Sequence, residues 1–105
     1  GEPTAVVATR VAQARAVAAE RGVPSNGAIP SSRLDELAPL TKAASALLKR
    51  ELERGRLSGR GLHRVRRVAR TLSDLKGGGD LVDDLDVTLA FQMRLDLGLL
   101  DRRVA

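Results

Sequence analysis

The residues best suited to chemistry lie between Leu57 and Leu75, where Arg60, Arg64, Arg66, Arg67 and Arg70 recur every one to four positions behind Ser58. Guanidinium groups are always charged and present a planar fork of donors, a geometry that fits phosphate and carboxylate oxygens. Between Lys49 and Arg70 there are nine Lys or Arg against Glu51 and Glu53, a local excess of seven within a chain whose net charge is +5. Such a patch suits DNA phosphates, a bound nucleotide or an acidic neighbouring subunit. Arg66, Arg67 and Arg70 project from the same stretch and are candidates for contact with nucleic acid or another subunit.

Other chemistries are poorly supplied. The chain has no cysteine, so disulfides, thiolate metal sites and cysteine nucleophiles are excluded, and a reducing compartment is expected. His63 is the single histidine, which leaves no catalytic triad or two-histidine metal site within the chain. It is either a pH-sensitive contact to a phosphate or subunit, or a packing residue beside the arginines. Phe91 is the single aromatic residue and offers no base-stacking platform. No Gly-x-x-x-x-Gly-Lys-Ser/Thr occurs. Asp80, Asp83, Asp84 and Asp86 lack the central Gly and terminal Glu of an EF-hand loop, so helix capping and solvation are expected of them and no metal site is assigned. No apolar run approaches a membrane span, and the start of the chain lacks a signal layout, so a cytoplasmic protein without membrane contact is expected.

The elements that must position these side chains read as helices. With 105 residues, 43% hydrophobic and 30% charged, one folded domain over 1–105 is expected. Thr4 to Arg21 is Ala-rich and sets Val7, Val11, Ala14 and Ala18 on one stripe, with Gly22 as its stop. Val23 to Ser32 holds Pro24, Ser25, Asn26, Gly27 and Pro30, a loop in which Asn26 suits a turn with positive φ. Ser32 is expected to cap a short helix through Ala38 that Pro39 interrupts. Thr41 caps a helix with Ala44, Leu47, Leu48 and Leu52 on one face and Gly55 as stop. Ser58 caps the next, whose Leu62, Val65, Val68, Ala69, Leu72 and Leu75 keep helical spacing to Gly77. A fifth helix follows Asp80 to Asp86 and ends near Arg94, with Leu85, Leu89, Ala90 and Met93 as its buried side. Residues from about 95 to 105 are expected to form a flexible tail. No alternation supports a sheet, so the fold class is all-α, a bundle of four to five helices.

The run from Leu57 to Leu75 resembles the Leu-Ser-x-Arg-x-x-x-Arg-x-x-x-Val-Ala-Arg-Thr-x-x-Asp-Leu pattern in the C-terminal domain of magnesium-chelatase-like AAA+ ATPases, the group that includes competence protein ComM. The likeness extends to Val11, Gln13, Ala14, Arg15 and Asn26 upstream, and to Asp80, Leu81 and a last helix ending near Arg94. It departs at Gly77–Gly79, where that family usually has a stiffer connection, and at Phe91 to Arg94, where an aromatic often precedes the Arg. Gln13 and Arg15 either share a family role or simply solvate the first helix.

The resemblance implies a helical lid that folds over nucleotide held by a preceding core, with Arg60 in the place of a sensor-2 arginine and Arg64 one turn later lining the same cleft or forming surface ion pairs. It implies that the fragment alone binds no cofactor and hydrolyses nothing, whereas the parent is an ATPase using ATP and Mg²⁺. The partners implied are the N-terminal AAA+ core of the same chain and neighbouring ATPase subunits, with DNA as a further candidate. The alternative is a free-standing basic helical module that binds DNA or another protein.

Overall fold

The structure, a computed structural model, describes the backbone of residues 4–104 and the side chains of residues 4–94. Its described residues form five α-helices and no β-strand: α1 (Thr4–Glu20), α2 (Leu34–Leu37), α3 (Lys42–Glu53), α4 (Gly59–Leu75) and α5 (Asp84–Val104), with 3-10 turns at Asn26–Ala28 and Ser31–Arg33. The all-α class expected from the sequence is what the chain adopts. No helix among the described residues is long and apolar enough to cross a membrane.

Local chemistry sets most of the boundaries. The Thr41 hydroxyl accepts from the Ala44 N–H at 3.1 Å and the Ser58 hydroxyl accepts from the Gly61 N–H at 3.0 Å, each satisfying an orphan donor at the start of α3 or α4; an N-cap of this kind stabilises by about 1 kcal/mol. α1, α3 and α4 end alike, with Gly22, Gly55 and Gly77 at φ of 83°, 73° and 72°. In each case the glycine N–H and the next N–H turn back onto carbonyls of the last helical turn, as Gly77 to Asp74 and Gly78 to Ser73 do after α4. A side chain on Gly78 would collide with Ser73, its Cβ lying 2.9 Å from the Ser73 carbonyl oxygen. Close packing in the glycine run is thus confined to Gly78, since a Cβ on Gly77 or Gly79 would meet nothing within 4 Å.

Ser32 does not cap α2: it lies inside the Ser31–Arg33 turn, which leads directly into the four-residue helix that Pro39 closes off. Next to that break, the segment after Pro39 lies beside the one before α5. Thr41 N–H donates to the Val82 carbonyl at 3.0 Å and Val82 N–H donates to the Pro39 carbonyl at 2.8 Å, an isolated parallel bridge at Leu40 and Val82.

α4 is central, packing on α5, on α1 and on the Asn26–Ala28 turn, while α3 packs on α5. Its Val65 and Ala69 are buried with Ala44 and Leu48 of α3, Val87 and Ala90 of α5, and Ile29 and Leu34 from the intervening chain. Full burial of one such valine or leucine contributes about 1.5–3 kcal/mol. Four expected faces are corrected. Val7 is 44% exposed, so the α1 stripe packs only from Val11 onward; Leu52 of α3 and Val68 of α4 are also exposed. On α5 Ala90 is buried as expected, but Leu85, Leu89 and Met93 are turned out at 70%, 51% and 40% exposure, and Asp86 and Val87 face in instead.

The start of α5 explains that rotation. Asp83 N–H donates to Asp86 Oδ2 and Asp86 N–H donates to Asp83 Oδ1 at 2.9 Å, a reciprocal cap that turns Asp86 inward. Lys76, at the end of α4, bridges both carboxylates at 2.9 Å. The hydrogen bond from the Asp86 backbone and the Lys76 ammonium hold the Asp83 carboxyl below its ordinary range, and hydrogen bonds to Asp83 and Asp86 raise Lys76. α5 also runs on to Val104 instead of ending near Arg94.

Candidate functional site

With successive residues about 100° apart around a helix, Arg60, Arg64 and Arg67 fall within about 60° of one another, and Arg66 and Arg70 lie farther round. What separates the five is cover along the helix: Arg66, Arg67 and Arg70 sit where the rest of the fold reaches α4, whereas Arg60 and Arg64 lie nearer its start, on a side that α1 covers only farther along, at Thr71 and Leu75.

Each inward arginine already has protein acceptors. Arg66 pairs with Asp35 at 2.8 Å and donates to the Ala38 carbonyl. Arg67 donates to the Ile29 carbonyl at 2.9 Å and to the Ser31 hydroxyl at 3.0 Å. Arg70 is 1% exposed and clamps the Asp80 and Gly79 carbonyls at 2.6 and 2.8 Å, while also meeting Ser73 and Asp74. These arginines tie α4 to the loops before α2, after α2 and after α4. Arg70 in particular has no surface from which to reach an external phosphate, and its guanidinium is pulled below its ordinary value by burial, an effect that Asp74 opposes.

Asp74 anchors this interior network. Its carboxylate receives both ends of the Arg21 fork at 2.6 Å and the Asn26 amide at 2.7 Å, with Arg70 3.1 Å away. Burial alone would raise the Asp74 carboxyl, but the hydrogen bonds from Arg21 and Asn26 and the two nearby guanidiniums hold it below the ordinary carboxylate range. Asn26 has negative φ, contrary to the turn expected of it, and is buried because its side chain joins Asp74 to Arg21. Arg21 and Asp74 were not singled out from sequence. The i,i+4 spacing of Arg70 and Asp74 was the available signal.

On the bare side, Arg60 and Arg64 are exposed and have no hydrogen-bond or ion-pair partner among the described residues. His63 is half-buried on α4. Arg15 is exposed and lines a shallow groove of about 200 Å³ with Asn26, Thr71 and Leu75. Gln13 is exposed on α1. Asp83 and Asp86 are occupied by capping and Lys76, and the described residues hold no group of three His, Cys, Asp or Glu arranged for a metal ion. What the bare side offers chemically is two forked cations open to an external polyanion.

Comparison with known proteins gives the setting. Two uncharacterized proteins of Mycobacterium tuberculosis strains and one of Mycobacterium bovis are each 37% identical to this chain over 97 residues, which is 88% of this chain and 19% of the relative. The chain thus spans about a fifth of the length of these curated relatives. No solved structure matches it. Residues 1–94 match the family described as "Magnesium chelatase, subunit ChlI C-terminal", and with its all-helical fold the chain belongs to that family, as a C-terminal helical domain of a magnesium-chelatase-like AAA+ protein.

Proposed function

We propose that this domain is the nucleotide-sensing lid of its parent ATPase, with Arg60 meeting the terminal phosphate of ATP held by the preceding core and Arg64 supporting it from one turn away. The observation that carries this reading is the division of α4: three arginines are held by protein acceptors, while Arg60 and Arg64 are exposed and unpaired on one side. Charged forks without internal partners suit an incoming phosphate, and they oppose the charge that accumulates during phosphoryl transfer. The fit to a polyphosphate is good. Mg²⁺ would be held by the core, because the acids at the start of α5 are already engaged.

In this reading the parent hydrolyses ATP in the cytoplasm, and closure of the lid couples nucleotide state to movement against the core and neighbouring subunits. A competence-associated branch of the family, with DNA as the remodelled substrate, is one setting for such work. The engagement of Arg66, Arg67 and Arg70 within the fold favours the lid over a DNA reader built on those residues. Arg60→Ala in the full-length parent is expected to lower ATP turnover about tenfold or more, the scale of one charge-assisted hydrogen bond, with melting temperature unchanged. Wild-type turnover in that variant would sink the assignment.

A further inference from the structure

We propose that Arg94 of α5 is a third arginine of this phosphate-contacting site, so that one nucleoside triphosphate is held by α4 and α5 together. The inference rests on the reading of Arg60 as a nucleotide contact and extends it to a second helix. A Cβ built on Gly61 would lie 3.1 Å from Nη2 and 3.4 Å from Cζ of Arg94. The Arg94 guanidinium therefore lies against the bare backbone of the first turn of α4, where any side chain at position 61 would crowd it.

Among the described residues nothing offsets a cation at this place. Arg94 has no hydrogen-bond or ion-pair partner among the described residues, and neither do Arg60 and Arg64. A guanidinium near the start of a helix meets the positive end of its dipole, and nearby like charges add repulsion that solvent only partly screens. Around α4, Gly61 is about 60° from Arg64 and about 100° from Arg60. Arg94 thus stands at the edge of the bare side, next to the two unpaired arginines. Like charges from two helices meet near one turn, and among the described residues no carboxylate pairs with any of them.

A polyanion reverses that balance. The β- and γ-phosphates of ATP carry enough charge and enough acceptor oxygens to engage more than one guanidinium, and a planar fork on each side suits their tetrahedral oxygens. ADP, one phosphate shorter, would leave one arginine unengaged. Because α5 packs along α4, a triphosphate that draws Arg94 toward Arg60 and Arg64 would clamp the two helices at their open end, and loss of the terminal phosphate would release the clamp.

The test is equilibrium titration of ATP and ADP against the full-length parent and its Arg94→Gln and Arg94→Lys variants, with melting temperatures recorded alongside. Arg94→Gln is expected to weaken ATP about tenfold while ADP affinity stays within about twofold and melting is unchanged; Arg94→Lys, with charge but no fork, is expected to fall between. Wild-type ATP affinity in Arg94→Gln, or equal losses for ATP and ADP together with a lowered melting temperature, would overturn the assignment. Arg60→Ala separates the two readings. If it lowers turnover while Arg94→Gln binds ATP normally, the sensor reading stands and Arg94 drops out; if Arg60→Ala turns over ATP normally, the sensor reading fails and the Arg94 site fails with it.

Discussion

Arg21 and Asp74, 53 residues apart in the chain, meet through a two-pronged pair in which both N–H···O distances are 2.6 Å. The pair joins the end of α1 to the last turn of α4, and the Asp74 side chain is wholly buried. Removing a buried carboxylate strands the cations and the amide that surround it. Asp74→Ala is therefore expected to destabilise the domain by about 3–5 kcal/mol, read as a lower urea midpoint at an unchanged m-value. Asp74→Asn should also be strongly destabilising, because an amide cannot accept from Arg21 with both of its heavy atoms.

The same carboxyl has a pH signature. Its folded pKa is depressed, so the stability it contributes is fully present above its unfolded value, about 3.9, and is lost as pH falls from there through the folded pKa. Urea titrations at a series of pH values should show stability declining below about pH 4. In Asp74→Asn that part of the decline should flatten, and an unchanged slope would remove Asp74 from the acid transition.

The paired and the unpaired arginines of α4 should answer charge reversal differently. Glu in place of Arg66, Arg67 or Arg70 puts an acid against carbonyls or carboxylates, and at the buried Arg70 the cost should reach about 3 kcal/mol or more. Arg60→Glu and Arg64→Glu should each stay within about 0.5 kcal/mol. Thermal melting of the five single variants decides it, and similar losses in both groups would contradict the division.

Around α5 the contrast is between Val87, at 0% exposure, and Leu85, at 70%. Val87→Ala should cost about 1–3 kcal/mol and Leu85→Ala less than about 0.5 kcal/mol. A larger loss at Leu85 in chemical denaturation would return the packed face to the leucine side.

Where capping chemistry was local, the elements were legible. Thr41, Ser58 and the glycines at 22, 55 and 77 define α3, the start of α4 and three helix ends through bonds spanning only a few residues. The phase of α5 was not, because counting leucines favours Leu85 and Leu89, whereas the Asp83–Asp86 cap and its Lys76 bridge, formed across a loop, turn the smaller Val87 and Ala90 to the close-packed side. Arg60 and Arg64 could be singled out on α4, but telling the inward arginines from the outward ones required knowing where Ile29, Ala38 and Gly79 place their carbonyls. Asn26 stood out in the sequence as a turn former, and only the fold places it beside Asp74 as a buried donor.

The short bridge between Leu40 and Val82 closes the chain into a ring that encloses α3 and α4. Its two amide hydrogens, on Thr41 and Val82, bond across this ring, not within a helix. They can meet solvent only when the segments before α3 and before α5 part company. Their exchange with deuterium consequently reports the opening of that ring, and comparing it with exchange in the middle of α4 would tell whether the enclosed helices melt together with their fastening or outlast it.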